Sequence, residues 1–271
     1  MRHRLATAIL AAALGLAVAA CQRDHGSLEE HMNQRFDRLE KQIADLKASG
    51  GARGAAGQQQ RPQRPRPKPE LTYSVPVDKS AIKGDKNALV TVVEAFEFAC
   101  PYCEQMRPVM DQLLEEYPKD VRVAYKHYIV HPPTATIPAL AACAATRQGK
   151  FAPMEALIWD KGFKANRNLS AENMEKLAGE AGLDMGKFKS DMNGEECKKI
   201  VRDDQAQLAA VGITGTPGFF VNGRWVPQRS VEGFKALIDE ELKKARERVA
   251  QGSKPDRYYE EWVVAKGEKK L

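Results

Sequence analysis

The chain has 271 residues, a net charge of +6 and five cysteines, a length that can build one sizeable core with appendages. The charge looks suited to nucleic acid, yet residues 1–20 carry +2, 21–48 carry −1 and 49–70 carry +4, which leaves about +1 for residues 71–271. The basicity belongs to a leader and a linker, and the part that folds has no electrostatic footprint for DNA or RNA.

Arg2 and Arg4 precede an apolar run from Leu5 to Ala20, too short and too closely followed by polar residues for a membrane span. The run ends in Val18-Ala19-Ala20-Cys21, which resembles a bacterial lipobox, with small residues before a cysteine that becomes the lipidated N-terminus. An ordinary signal peptide cleaved nearby is the alternative, and either way the chain leaves the cytoplasm. Residues 1–20 are thus read as a leader and Cys21 as a lipidation site. Residues 27–48 read as a helix whose Met32, Phe36, Leu39, Ile43 and Leu46 recur in steps of four and three, the seam of a coiled coil. Arg35 and Glu40 flank that seam with opposite charge. A lone amphipathic helix is the alternative, since about three heptads are marginal by themselves. Residues 49–70 follow as a linker, and Arg61 to Pro69 reads as an extended polyproline-type spacer.

The folded domain is expected from Leu71. A short strand is placed at 72–77 and a turn at Ile82–Asn87. Leu89–Phe96 is a β-branched, apolar run that reads as a buried strand. Beyond Phe96-Glu97-Phe98-Ala99 comes Cys100-Pro101-Tyr102-Cys103, and then Met106, Val109, Met110, Leu113 and Leu114 recur at helical spacing as far as Tyr117, with Pro108 inside. A Cys-x-x-Cys therefore sits where a strand turns into a helix. Unpaired N–H groups and the dipole stabilise a thiolate there, and Pro101 suits the first helical position. Cys100 then attacks a disulfide, and Cys103, one turn on, resolves the mixed disulfide. A zinc half-site and a structural disulfide use the same motif, but the strand-to-helix setting favours redox chemistry.

Val121–Tyr128 reads as a second central strand. Residues 134 to about 211 read as almost wholly helical: Ile137–Gln148, Phe151–Trp159, a helix capped by Ser170, Met185–Met192 and Glu195–Val211. Gly218–Val221 and Arg224–Val226 form a hairpin through Asn222-Gly223. A long helix covers Val231–Val249, and Asp256–Lys266 reads as a docked C-terminal helix. His127 and His131 are four apart, but they fall at a strand end and in a His-Pro loop, so no metal site is drawn from them. With Cys21, Cys100 and Cys103 assigned, Cys143 and Cys197 remain as an even pair that an oxidising compartment would join.

Cys100-Pro101-Tyr102-Cys103, Gly215-Thr216-Pro217 before a strand, His131-Pro132, Gln148-Gly149-Lys150-Phe151 and Phe219-Phe220-Val221-Asn222-Gly223 together resemble the DsbA-like family of exported thiol oxidoreductases, over roughly residues 71–250. The resemblance implies an α/β, thioredoxin-like fold with an inserted helical domain at about 132–211, here preceded by a short coiled-coil stalk and a Pro-rich linker and followed by a helix and tail at 251–271. It implies that Pro217 is a cis-proline whose neighbour Thr216 presents backbone groups to a client peptide, beside Pro101 and Tyr102. It implies that Glu94 is a buried acid paired with Lys126, able to pass a proton to or from Cys103; both groups standing in water is the alternative. Tyr102 replaces the histidine of the strongest oxidants, so a less oxidising pair is expected. Relatives with a second disulfide usually place its second cysteine earlier than Cys197.

The function this implies is dithiol–disulfide exchange on exported, cysteine-bearing proteins, with a membrane redox partner, no cofactor, no metal and no nucleic acid. The protein is expected to face the periplasm, held to a bacterial membrane by lipid on Cys21 and self-associated through residues 27–48, dimer and trimer both open. A net oxidase and an oligomeric isomerase compete within this reading. A non-catalytic envelope lipoprotein is the rival from another class.

Overall fold

The computed structural model describes residues 30–45 and 65–271. The leader, Cys21, Leu46 and most of the linker lie outside the described residues. Residues 30–45 form a helix, α1, within one unit of the chain, and residues 64–271 form the other. On α1 the predicted seam residues Met32, Phe36, Leu39 and Ile43 are 50–59% exposed.

The second unit is built on a five-stranded sheet in the order β1-β3-β2-β4-β5. The strands are β1 (Ala81–Gly84), β2 (Val90–Phe96), β3 (Val121–His127), β4 (Gly218–Val221) and β5 (Arg224–Trp225). β2 and β3 are parallel and are linked by helix α2 (Pro101–Glu116); the other pairings are antiparallel. Every residue of β2 is buried. That is why its sequence is a continuous apolar run broken by Thr91 and Glu94 and not an alternating one, as befits a central strand covered on both faces.

One face packs Val90, Val92, Phe96, Val123 and Tyr125 against Met110 and Leu113 of α2 and against Phe234, Ile238 and Leu242 of the long C-terminal helix. The other face packs Val93, Ala95, Ala124 and Phe220 against Tyr73, Val75, Leu208, Tyr259 and Val263. Between β3 and β4 the chain makes helices α3 (Pro132–Thr146), α4 (Phe151–Leu157), α5 (Ala171–Glu180), α6 (Met185–Asn193) and α7 (Glu195–Ala210), and the long helix α8 (Val231–Ala250) follows β5. Alanines line α3 from Ala139 to Ala145 and are buried, which lets α5, α6 and α7 approach it closely. Cys143 of α3 and Cys197 of α7 are joined, with Cα atoms 5.7 Å apart. Ser170 caps α5 as predicted, accepting the Asn173 N–H at 3.3 Å. The β4–β5 turn has Asn222 and Gly223 at φ 43° and 78°; a side chain at 223 would meet the Tyr73 carbonyl oxygen at 2.4 Å. Asn222 in turn accepts the Thr91 N–H at 2.8 Å, which fixes the hairpin to β2.

Three expectations change. Residues 82–84, read as part of a turn, belong to the edge strand β1, paired with β3; its pairing partner, not its own propensity, makes it a strand. The strand expected at 72–77 reduces to single bridges from Thr72 to Arg224 and from Tyr73 to Glu268. The piece beginning at Phe151 continues beyond Trp159 as π-helical turns over Ile158–Lys164, and the C-terminal segment is π-helical over Tyr259–Val264.

Candidate active site

Cys100 is the N-cap of α2, in an extended conformation at φ −92° and ψ 115°, and Pro101 occupies the first turn. The Cys100 carbonyl accepts the Cys103 N–H at 3.2 Å and the Glu104 N–H at 3.3 Å. Phe98 secures the preceding loop from below, its ring 5.1 Å from Phe96 and 5.0 Å from Trp159. Both thiols are free, with Cys100 4% and Cys103 1% exposed. The Thr216–Pro217 peptide is cis, as the resemblance implies, and the Cys100 thiol donates to the Thr216 carbonyl at 3.5 Å. Tyr102 is 65% exposed at the rim. A cavity of about 250 Å³ opens beside Thr216, lined by Arg66, Ile213, Trp225 and Arg229 among others.

The two sulfurs lie in opposed environments. Cys100 is held down to about 6, first by a hydrogen bond from Cys103; burial works against this, and the Thr216 side chain and the N–H groups of Cys103 and Tyr102 add to it. Cys103 is pushed far up, first by burial, then by its bond to Cys100 and by the Glu94 charge. At neutral pH the first sulfur is a thiolate and the second a thiol.

Glu94 lies buried on β2. Burial pushes its carboxyl well up, Glu155 adds to this, and Lys83 opposes it. The predicted partner Lys126 is not beside it. Register sets Glu94 opposite Tyr125 and Ala95 opposite Lys126, so Lys126 points to the other face of the sheet. There it pairs with Asp204 of α7 at 2.5 Å and donates to the Pro76 carbonyl at 2.8 Å. The Glu94–Lys126 pairing is therefore wrong by one residue along β3.

Two residues escaped the sequence reading as a unit. Glu97 is fully buried; one oxygen accepts the N–H of Val130 at 2.7 Å and of His131 at 3.0 Å, and the other meets His131 Nδ1. His131 caps α3. Its ring is held above the usual histidine range, first by the bond to Glu97, then by that residue's charge and by Cys100. The charge on Cys100 thus favours the protonated form of this ring. The signal was there: a lone carboxylate inside Phe96-Glu97-Phe98 must have a partner. His127 keeps separate company, packed on Phe96 and pushed down to about 4 by burial. Among the described residues no cluster of three His, Cys, Asp or Glu side chains could hold a metal.

The family model described as Thioredoxin matches residues 77–240. Among curated proteins, the Na(+)/H(+) antiporter NhaA 3 of Salinispora tropica is 34% identical over 193 residues, a match that takes in 69% of this chain and 28% of that one. The NhaA of Herminiimonas arsenicoxydans is 35% identical over 156 residues, 57% of this chain and 24% of that one. The chain spans about a quarter of the length of the curated relatives it matches. Among solved structures, BdbD from Bacillus subtilis in its oxidised form has TM-score 0.58 at 19% identity, covering 64% of this chain and 98% of that one. A thioredoxin-like oxidoreductase from Silicibacter pomeroyi has TM-score 0.50 at 27% identity, over 65% and 95% of the two chains. The α-DsbA1 of Wolbachia pipientis has TM-score 0.54 at 18% identity, over 65% and 96%. The first and third likenesses are of fold.

Proposed function

Because the chain belongs to the thioredoxin family, whose model spans residues 77–240, we propose that it is a thiol:disulfide oxidoreductase acting on exported proteins. One observation carries this most: a recessed thiolate at the start of α2 next to a thiol kept protonated. Cys100 exchanges with a client sulfur and Cys103 resolves the mixed disulfide by attacking the Cys100 sulfur. The client strand lies along Thr216, with Pro101 and Tyr102 at the rim. The leader, the lipobox-like Cys21 and the Cys143–Cys197 bond favour an oxidising, envelope location with a lipid anchor. A redox partner in the membrane resets the pair.

The test is direct. Oxidised protein mixed with a reduced two-cysteine peptide should transfer its disulfide, and Cys103→Ala should accumulate the peptide bonded to Cys100. No transfer, with Cys100 inert to alkylation, overturns the reading in favour of a binding module. A second reading, disulfide isomerase, is favoured by the exposed apolar seam of α1, which a second copy of the same helix would cover.

A further inference from the structure

On the α2 side of the sheet lies a charged cluster that the exchange reaction leaves unexplained. Glu155 of α4 is 1% exposed, and two cations reach it from different elements: Lys83 Nζ of β1 at 2.8 Å and Arg107 Nε of α2 at 3.2 Å. The Arg107 contact is an ion pair without the alignment of a hydrogen bond; the same guanidinium reaches outward to Asp160 at 2.9 Å. Such a buried group is costly to desolvate, and a well-packed apolar trio would fill the space without that cost.

Strand register connects this cluster to the redox pair. Lys83 lies opposite Val123, and Glu94 lies opposite Tyr125, so both point to one face of the sheet, with β3 between them. Lys83 Nζ stands 5.4 Å from the Tyr125 ring centroid. Tyr125 stands opposite Glu94 on β3, and the basic group that acts on Glu94 comes instead from β1. The ionisable groups acting on Glu94 are Glu155 of α4, Lys83 of β1, and Cys100 and Asp111 from α2 and its cap; Tyr125 of β3 and Cys103 of α2 feel Glu94 in return.

We propose that Lys83 and Glu155, with Arg107 holding Glu155 in place, are positioning residues for proton transfer between Glu94 and Cys103. The inference rests on the exchange chemistry proposed above. When the protein reduces a client, the Cys103 S–H proton passes to ionised Glu94, the Cys103 thiolate attacks the Cys100 sulfur, and the client thiolate leaves. When the protein oxidises a client, a client thiolate attacks Cys100, Cys103 departs as thiolate and takes the proton from Glu94. Glu155 raises the proton affinity of Glu94 by repulsion, Lys83 lowers it by attraction, and Arg107 moderates Glu155. The same ion pairs fasten α4 of the insertion to β1 and α2.

The measurement is the titration of the Glu94 carboxyl in the full, reduced chain by carbon-13 NMR of labelled glutamate, assigned with Glu94→Gln. Lys83→Met should move the midpoint up, and Glu155→Gln should move it down, each by about one pH unit, a tenfold change in proton affinity. Lys83→Arg should restore the wild-type midpoint, and if Glu155→Gln fails to fold, the Met and Arg variants at 83 decide alone. The pH midpoint for resolution by Cys103 of a mixed disulfide between Cys100 and a small thiol should move in the same directions. Midpoints that stay put, or that move the same way in the Met and Gln variants, overturn the inference. A resolution step that ignores a shifted Glu94 overturns its link to Cys103. A wild-type chain with no exchange strikes the function reading instead, and the NMR titration still decides the charge assignment.

Discussion

Two identical side chains three residues apart become different reagents because one caps a helix and the other is inside it. Reduced protein should therefore alkylate at Cys100 with a midpoint near about 6, well below the free-thiol value of about 8.5, while Cys103 stays unmodified. Alkylation that tracks Cys103 instead would reverse the roles. When protonated, His131 brings a positive charge that Tyr102, in the motif itself, does not. His131→Ala should raise the Cys100 midpoint by a few tenths of a unit at low ionic strength, because a favourable charge near the thiolate is lost. The effect should fade in salt, since the ring is exposed and screened. An unchanged midpoint at low salt removes His131 from the site.

The elements that place the sulfurs were legible for physical reasons. Strand β2 is apolar throughout, Pro101 marks a helix start, and Asn222-Gly223 fits only a tight hairpin. What stayed hidden depended on partners outside the local sequence. Alternation along β3 shows that Arg122 and Lys126 share a face, but not which residue of β3 stands opposite Glu94; pairing with β2 decides that, and it puts Tyr125 there and not Lys126. Likewise Lys83-Gly84 reads as a turn until β3 is beside it. The Cys143–Cys197 bond closes a span of 54 residues between α3 and α7; by loop entropy it stabilises by about 4 kcal/mol at most. Replacing both cysteines with alanine should lower the urea midpoint accordingly and leave exchange at Cys100 intact. Peptide mapping of the protein under non-reducing conditions should recover the two joined; both thiols free would refute the bond.

For the whole molecule, the number of active sites that meet one client separates the oxidase and isomerase readings. The seam of α1 is apolar and exposed, and a Pro-rich linker follows it in sequence. If copies pair through the seam, several redox pairs share a small volume, and the effective concentration around one client is high. Deleting residues 22–48 should then give a monomer that still exchanges simple disulfides yet no longer rearranges a scrambled protein. Sedimentation of the intact soluble region as a monomer at micromolar concentration would leave the plain oxidase reading in place. The depth of the sulfurs bears on which clients are served. With Cys100 almost covered, a partner sulfur must be carried inward on a strand loose enough to lie along Thr216. A cysteine locked inside a finished fold has no such strand to offer. On the exchange reading proposed above, the reaction would be self-terminating: each client would withdraw as it folds, and immature chains would be told from mature ones without their sequence being read.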